Sequence, residues 1–381
     1  KISSNNALVN LEGLDQIDSI GTDITIEYNQ NLSDLSGFES ITSLGGIRIQ
    51  HSHALTTLNG LEQIPGHLSE GIRIADNSQL NSLEGLNHLT MVEGNVYIGQ
   101  NPSLTSLTAL HNLQTVEGQL YIGQNPQLLN LSGLEELSGL GSLSVGYNDN
   151  LLDINGLIGI TRTEKGSCTI RDNSSLIDLS GLNNLTAIAG GLYITGNSVL
   201  NSIEALENLQ SVRDYLYLDN NDNLTSLAGL QNISPDSLIY LQIGYSENLS
   251  DCSIESLCNY LQDSGNEASI TNNSTGCNSR GQILEACEIT SYEDRLHNFG
   301  DYVKLFPNPA TESLTIQIEN LGFQNTQLIL TNSLGQKVWQ DSIAPGASAY
   351  KNTIVISENG LYFFQVRGEV NEIIKTILVS R

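Results

Sequence analysis

The sequence predicts a mainly β protein: a β-solenoid with coils about 24 residues long, a cysteine-rich cap on its C-terminal end, and a small β-sandwich after that. Three observations carry the prediction. A phrase returns at a fixed period over the first two thirds, four cysteines crowd together where it stops, and short alternating strands follow them.

The phrase is clearest from Val116 to Leu134, V-E-G-Q-L-Y-I-G-Q-N-P-Q-L-L-N-L-S-G-L. Anchored on the leucine three residues after its asparagine, it recurs at Leu8, Leu32, Leu55, Leu80, Leu104, Leu128, Leu151, Leu176, Leu200, Leu224 and Leu249, in steps of 23 to 25 residues. Such a period marks a solenoid, because one unit cannot bury its apolar face alone and must stack on its neighbours. Within each unit a segment such as Ile24/Ile26, Val96/Ile98 or Leu120/Ile122 alternates apolar with polar, as a strand with one buried face must. The L-x-x-L-x-G-L portion has period three and reads as short bends whose leucines point inward. At about 3.3 Å per residue and roughly 4.8 Å per coil, the rod is about 80 Å around and about 50 Å long.

Asn5, Asn29, Asn77, Asn101, Asn125, Asn148, Asn173, Asn197 and Asn221 form a ladder at one corner, with Ser52 and Ser246 replacing asparagine at some local cost. An amide both donates and accepts, so it satisfies main-chain groups left unpaired at a turn, and asparagine tolerates the left-handed conformation of such corners. The whole phrase, I-x-G-x-L-x-I-x-x-N-x-x-L-x-x-L-x-x-L-x-x-I, resembles the receptor L-domain type of leucine-rich repeat, found in bacterial surface proteins and in the ligand-binding lobes of growth-factor receptors. Ordinary leucine-rich repeats place a leucine two residues after the asparagine; here it stands three after. The resemblance spans about residues 5 to 249 and implies a right-handed parallel β-solenoid. It names no ligand, since one fold hosts many sites.

Of 381 residues, 15 are Lys or Arg and 42 are Asp or Glu, a formal net charge of -27. So acidic a surface keeps a rod soluble and argues against nucleic acid and anionic membranes as partners. No apolar run reaches the roughly 18 residues of a membrane-spanning helix. The chain begins at Lys1, already inside a repeat and without a signal peptide, which implies a removed signal or a longer N-terminal part. An uncovered solenoid end offers unpaired strand edges to another copy.

On the outward face the mid-strand positions read Thr25, Arg48, Arg73, Tyr97, Tyr121, Ser144, Thr169, Tyr193, Tyr217 and Gln242, with Gly99, Gly123, Gly146 and Gly244 two residues beyond. Tyr97 with Tyr121, and Tyr193 with Tyr217, fall in consecutive coils and are expected to stack as flat platforms for a sugar ring or a partner protein, with Arg48 and Arg73 in the same row. Stacked pairs also stabilise adjacent strands, by about 0.2–1 kcal/mol each. The face lacks a regular Thr-x-Thr ladder, which argues against ice binding. His51-Ser-His53 sets two imidazoles together, but no further ligand is evident at matching positions of neighbouring coils, so no metal is expected there. Asp76, Asp172 and Asp219 read as solvated outer positions; Ca2+ at such a corner is the only cofactor they suggest. Residues 65–70 and 161–167 interrupt the phrase and read as small bulging loops.

Cys252, Cys258, Cys277 and Cys287 lie at spacings of 6, 19 and 10, which match no common zinc frame, so two disulfides in an oxidising compartment are expected, with three pairings open. Residues 253–261 and 282–287 have helical spacing and are expected to cover the last coil. Cys168 takes an inward strand position and reads as a small buried hydrophobe. Residues 289–303 read as a linker, and alternating strands from Lys304 onward read as an Ig-like β-sandwich.

Phe306-Pro307-Asn308-Pro309-Ala-Thr, Asn332-Ser-Leu-Gly335-Gln-Lys-Val and Asn359-Gly360-Leu-Tyr362-Phe-Phe-Gln-Val make this last segment similar to the type A C-terminal sorting domain of the Bacteroidetes type IX secretion system. The resemblance implies passage through the periplasm to the medium or the outer-membrane surface, with the type IX machinery as partner. No G-x-S-x-G, H-E-x-x-H, phosphate loop or Cys/His nucleophile pair is present, so no enzyme is expected. The chain is thus read as a repeat solenoid (1–249), a cysteine-rich cap (250–288), a linker (289–303) and a sorting sandwich (304–381). The expected function is a non-catalytic adhesion scaffold binding glycan or protein through its strand face. The alternative is a structural protein that self-assembles into fibres or a surface layer through its N-terminal coil.

Overall fold

Each coil contributes a strand to the main sheet because its alternating segment has one apolar and one polar face, and stacking the coils pairs every segment with its counterpart in the next. The computed structural model describes residues 1–287, 303–319, 326–344, 347, 349–367 and 372–379, in two units, Lys1–Cys287 and Glu288–Arg381. The expected linker, apart from Val303, lies outside the described residues.

Among the described residues the first unit runs twelve strands in one parallel path, from Ile2–Ser3 through Asp23–Glu27, Gly46–Gln50, Ile72–Ala75, Val96–Gly99, Thr115–Gly123, Gly139–Gly146, Cys168–Arg171, Leu192–Thr195, Tyr215–Asp219 and Tyr240–Gly244 to Glu267–Thr271. The register sets Ile26, Ile49, Ile74, Ile98 and Ile122 in one inward row and Ile24, Ile47, Ile72, Val96 and Leu120 in another, all buried. Cys168 continues the second row between Leu143 and Leu192, and burial pushes its thiol up to about 12, so it serves as packing rather than as a nucleophile. The period-three bends close as 3-10 turns at Thr108–Leu110, Asn155–Leu157, Glu204–Leu206 and Ala228–Leu230, whose three residues per turn match the leucine spacing. Glycine is obligatory in the bend at Gly133, where φ is +107° and a Cβ would run into the Leu107 carbonyl.

The loops expected at 65–70 and 161–167 are instead partly paired backbone. His67–Leu68 pairs with Met91–Val92 and Arg162–Thr163 with Ala187–Ile188, turning Leu68 and Thr163 into the core. The chain stays in register there because the Gly66 and Thr161 carbonyls still accept the Thr90 and Thr186 N–H groups of the next coil.

The corner asparagines are fully buried from Asn29 onward. Asn125 shows the pattern: its Oδ1 accepts the Asn101 N–H, its Nδ2 donates to the Ile98 carbonyl, and its own N–H donates to Asn148 Oδ1, each at 3.1 Å. Ser246 keeps the accepting role toward the Asn221 N–H at 3.1 Å, and Asn273 carries the ladder into the cap. The left-handed residue is the one before the corner asparagine, or before Ser52 in its place: Tyr28, His51, Asp76, Gln100, Gln124 and Tyr147 have φ between 53° and 60°.

Beyond Leu249 the leucine phrase ends, yet the sheet gains the strand Glu267–Thr271, which follows the helix Glu255–Gln262. Tyr260 is buried and its hydroxyl donates to the Glu267 carbonyl at 2.8 Å. Arg280 donates to the Leu261, Asp263 and Asn266 carbonyls at the C-terminal end of that helix, where a cation is favoured. The cysteines pair as Cys252–Cys277 and Cys258–Cys287. Changing Cys258 and Cys287 together to Ala is expected to cost about 2–5 kcal/mol of stability, read as a lower urea midpoint and as early proteolysis within the cap.

The second unit packs two antiparallel sheets. Val303–Phe306, Ser313–Glu319 and Ala349–Val355 form one; Lys337–Ile343, Thr326–Asn332, Gly360–Arg367 and Glu372–Val379, in that order, form the other. Ile316, Leu328, Leu330, Phe364 and Ile377 are among the buried residues of their common core. The first strand begins at Val303, one residue inside the expected linker.

Candidate functional site

Parallel strands in constant register repeat the same outward position in every coil, so side chains about two dozen residues apart in sequence stand side by side. Arg48, Arg73, Tyr97 and Tyr121 form such a row. The Arg73 guanidinium lies 3.9 Å from the Tyr97 ring centroid, and Tyr97 and Tyr121 stack at 4.4 Å with planes 8° apart. Gln50 braces the arginine, its Oε1 accepting the Arg73 Nε–H at 2.7 Å.

The expectation of flat platforms is corrected here. Coils spaced near 4.8 Å bring planar rings to stacking distance, so the faces of Tyr97 are spent on Arg73 and Tyr121 and its edge is offered outward. Tyr121 differs, because its register partner in the next coil is the small Ser144, beyond which the Arg171 side chain leans over Gly146. Both rings lie along their strands above glycine: a Cβ at Gly99 would come 2.8 Å from Tyr97 Cε1, and one at Gly123 would run into the Tyr121 hydroxyl. Gly146 and Gly244 make room for Arg171 and Asp219 instead. Beside the row lies a groove of about 490 Å3, lined by Asp23, Arg48, Glu70, Arg73, Asn95, Tyr97, Gln119 and Tyr121 among others.

Tyr193 and Tyr217 stack at 5.1 Å with planes 17° apart, Tyr193 crowding Gly191 rather than the residue two beyond it. Tyr215 and Tyr240 join them, Tyr240 at 5.8 Å and Tyr215 at 6.0 Å from Tyr217. A reading confined to mid-strand positions misses these two; the signal is the Y-L-Y of 215–217, since residues two apart on a strand share a face. Desolvation first and neighbouring tyrosines second push the phenols of Tyr121, Tyr193 and Tyr217 above their ordinary value, so they remain neutral hydrogen-bond donors at neutral pH.

Asp76 and Asp172 occupy the left-handed corner position and Asp219 ends its strand, in coils that are not adjacent, so they make no carboxylate pair. Burial raises the Asp219 carboxyl, which accepts from the Gln242 amide. At 51–53 the expectation of no further ligand is corrected: Asp76 matches the position of His51 one coil on, and its Oδ2 lies 2.5 Å from His51 Nδ1.

In the second unit Asn308 ties the segment after the first strand to the last strand, its Oδ1 accepting the Leu378 N–H at 3.1 Å and its Nδ2 donating to the Thr376 carbonyl at 3.3 Å. Pro307 and Pro309 flank it in the chain. Gly335, at φ +75°, turns the chain between Thr326–Asn332 and Lys337–Ile343. Gly360 opens its strand, and Tyr362 is buried with its hydroxyl donating to the Glu358 carbonyl at 3.0 Å.

A leucine-rich parallel solenoid with a polar and aromatic outer row, followed by a β-sandwich, defines a repeat scaffold with an accessory C-terminal domain. Residues 60–163 match the family model of the receptor L domain, and residues 304–380 match that of the secretion system C-terminal sorting domain. Curated proteins give no match. The sorting domain marks the chain for export by type IX secretion to the cell surface or extracellular space. Among the described residues no helix is long and apolar enough to cross a membrane.

Proposed function

We propose that this exported chain is a non-catalytic binding scaffold that holds a glycan along the row Arg48, Arg73, Tyr97 and Tyr121. The observation that supports it is the groove, where the stacked Tyr97 and Tyr121 stand beside carboxylates, amides and guanidinium groups. A sugar ring presents an apolar face ringed by hydroxyls, each of which both donates and accepts. It is therefore met by an aromatic surface set beside several polar groups of mixed type. The receptor L-domain match is consistent with ligand binding on such a scaffold.

Tyr121→Ala in the full chain is expected to weaken binding to the oligosaccharide retained from a glycan array at least tenfold, or about 1.4 kcal/mol. Its unfolding midpoint should move little, since a cross-strand pair contributes only about 0.2–1 kcal/mol. Equal glycan retention by the parent and the variant would sink the reading, as would retention of a surface protein with no glycan at all.

A further inference from the structure

We propose that His51, His53 and Asp76 bind one divalent transition-metal ion of the zinc type at the corner where the strand Gly46–Gln50 ends. One donor atom from each residue lies within 4.8 Å of the other two, and theirs is the one such group among the described residues.

The register of the sheet builds this site. Tyr28, His51 and Asp76 take the same left-handed corner position in three successive coils, with φ of 57°, 53° and 55°, so they follow one another along the corner. The Tyr28 ring stacks on the His51 imidazole at 4.3 Å with planes 10° apart, which holds the plane of that imidazole, and His51 Nδ1 faces Asp76 Oδ2 at 2.5 Å. His53, two residues on, meets His51 edge to face, with centroids 6.4 Å apart. An ion pair between His51 and Asp76 accounts for two of the three groups and leaves the third unexplained. His53 Nδ1 is buried and has no hydrogen-bond partner, a costly state for an imidazole nitrogen. A metal ion bound through that nitrogen would supply the missing partner.

The donor set decides the class of ion. Two imidazoles and a carboxylate suit zinc, nickel or copper(II), whereas calcium and magnesium take oxygen ligands throughout. Three protein donors leave a tetrahedral zinc one position for water or an incoming ligand atom, and all three side chains are only half-buried, so solvent reaches them. Gln50, which precedes His51 and braces Arg73, places this corner at the end of the strand that carries Arg48 in the outward row.

The test is calorimetric titration of ZnCl2 into the full chain, free of any polyhistidine tag and in excess magnesium to saturate the many surface carboxylates. One zinc per chain is expected. His53→Ala and Asp76→Asn should each weaken zinc at least tenfold, while Asp172→Asn, at the same corner position but without a histidine cluster, should leave affinity unchanged. Asp76→Asn keeps the shape of the side chain, and circular dichroism before titration shows that each variant is folded. Absence of zinc uptake by the parent overturns the proposal; so does His53→Ala binding as tightly as the parent, or Asp172→Asn weakening zinc as much as Asp76→Asn.

Discussion

A chain truncated before Lys304 is expected to accumulate inside the cell envelope, while the full chain reaches the surface or the medium. The sorting match covers residues 304–380, and the chain divides structurally between Cys287 and Glu288, with both disulfides and the leucine core on the first side. Truncation therefore removes the address without opening the packing of the solenoid. The truncated chain should still fold in the periplasm and form Cys252–Cys277 and Cys258–Cys287 there. Immunoblots of periplasm, outer membrane and medium read the outcome, and circular dichroism of the purified product confirms the fold. Recovery of the truncated chain outside the cell in parental amounts would contradict a sorting role for the sandwich.

The second large effect is expected at Asn125. Asn125→Ala removes the acceptor of the Asn101 N–H and the donor to the Ile98 carbonyl, both inside a dry stack. Each orphaned group costs about 1–3 kcal/mol, so the variant should lose roughly 2–6 kcal/mol. Asn125→Ser should lose less, because Ser246 already shows that a hydroxyl at this position accepts the preceding N–H. The check is a pair of urea unfolding curves, with hydrogen exchange at the neighbouring coils to catch local opening in a repeat array. Identical midpoints for the parent and Asn125→Ala would remove the ladder from the account of stability.

Much of the fold is legible because burial in a solenoid is written locally. Leu128, Leu131 and Leu134 are spaced by the bend they occupy, and Leu120 and Ile122 by the strand, so each position declares its face within one coil. The misreadings share a cause. Pro65-Gly66 is a strong turn signal, yet the Gly66 carbonyl keeps pairing with Thr90 and Met91 of the next coil. Glu267–Thr271 lacks the leucine phrase, yet pairing with Tyr240–Gly244 makes it a strand. At the candidate site the meeting of Tyr97 with Tyr121 follows from counting residues, but the attitude of the rings depends on Arg73 above and on the bare backbone of Gly99 and Gly123 beneath.

From the chain alone came the coil length, the inward aliphatic rows, the asparagine corner and the sorting sandwich, all carried by periodicities or motifs within a few dozen residues. Folding in three dimensions decided which cysteines join, that Tyr97 stands on edge, and that Asp76 meets His51 and His53. Those contacts run between coils, where a shift of one residue in register exchanges every partner, and no single coil records that alignment.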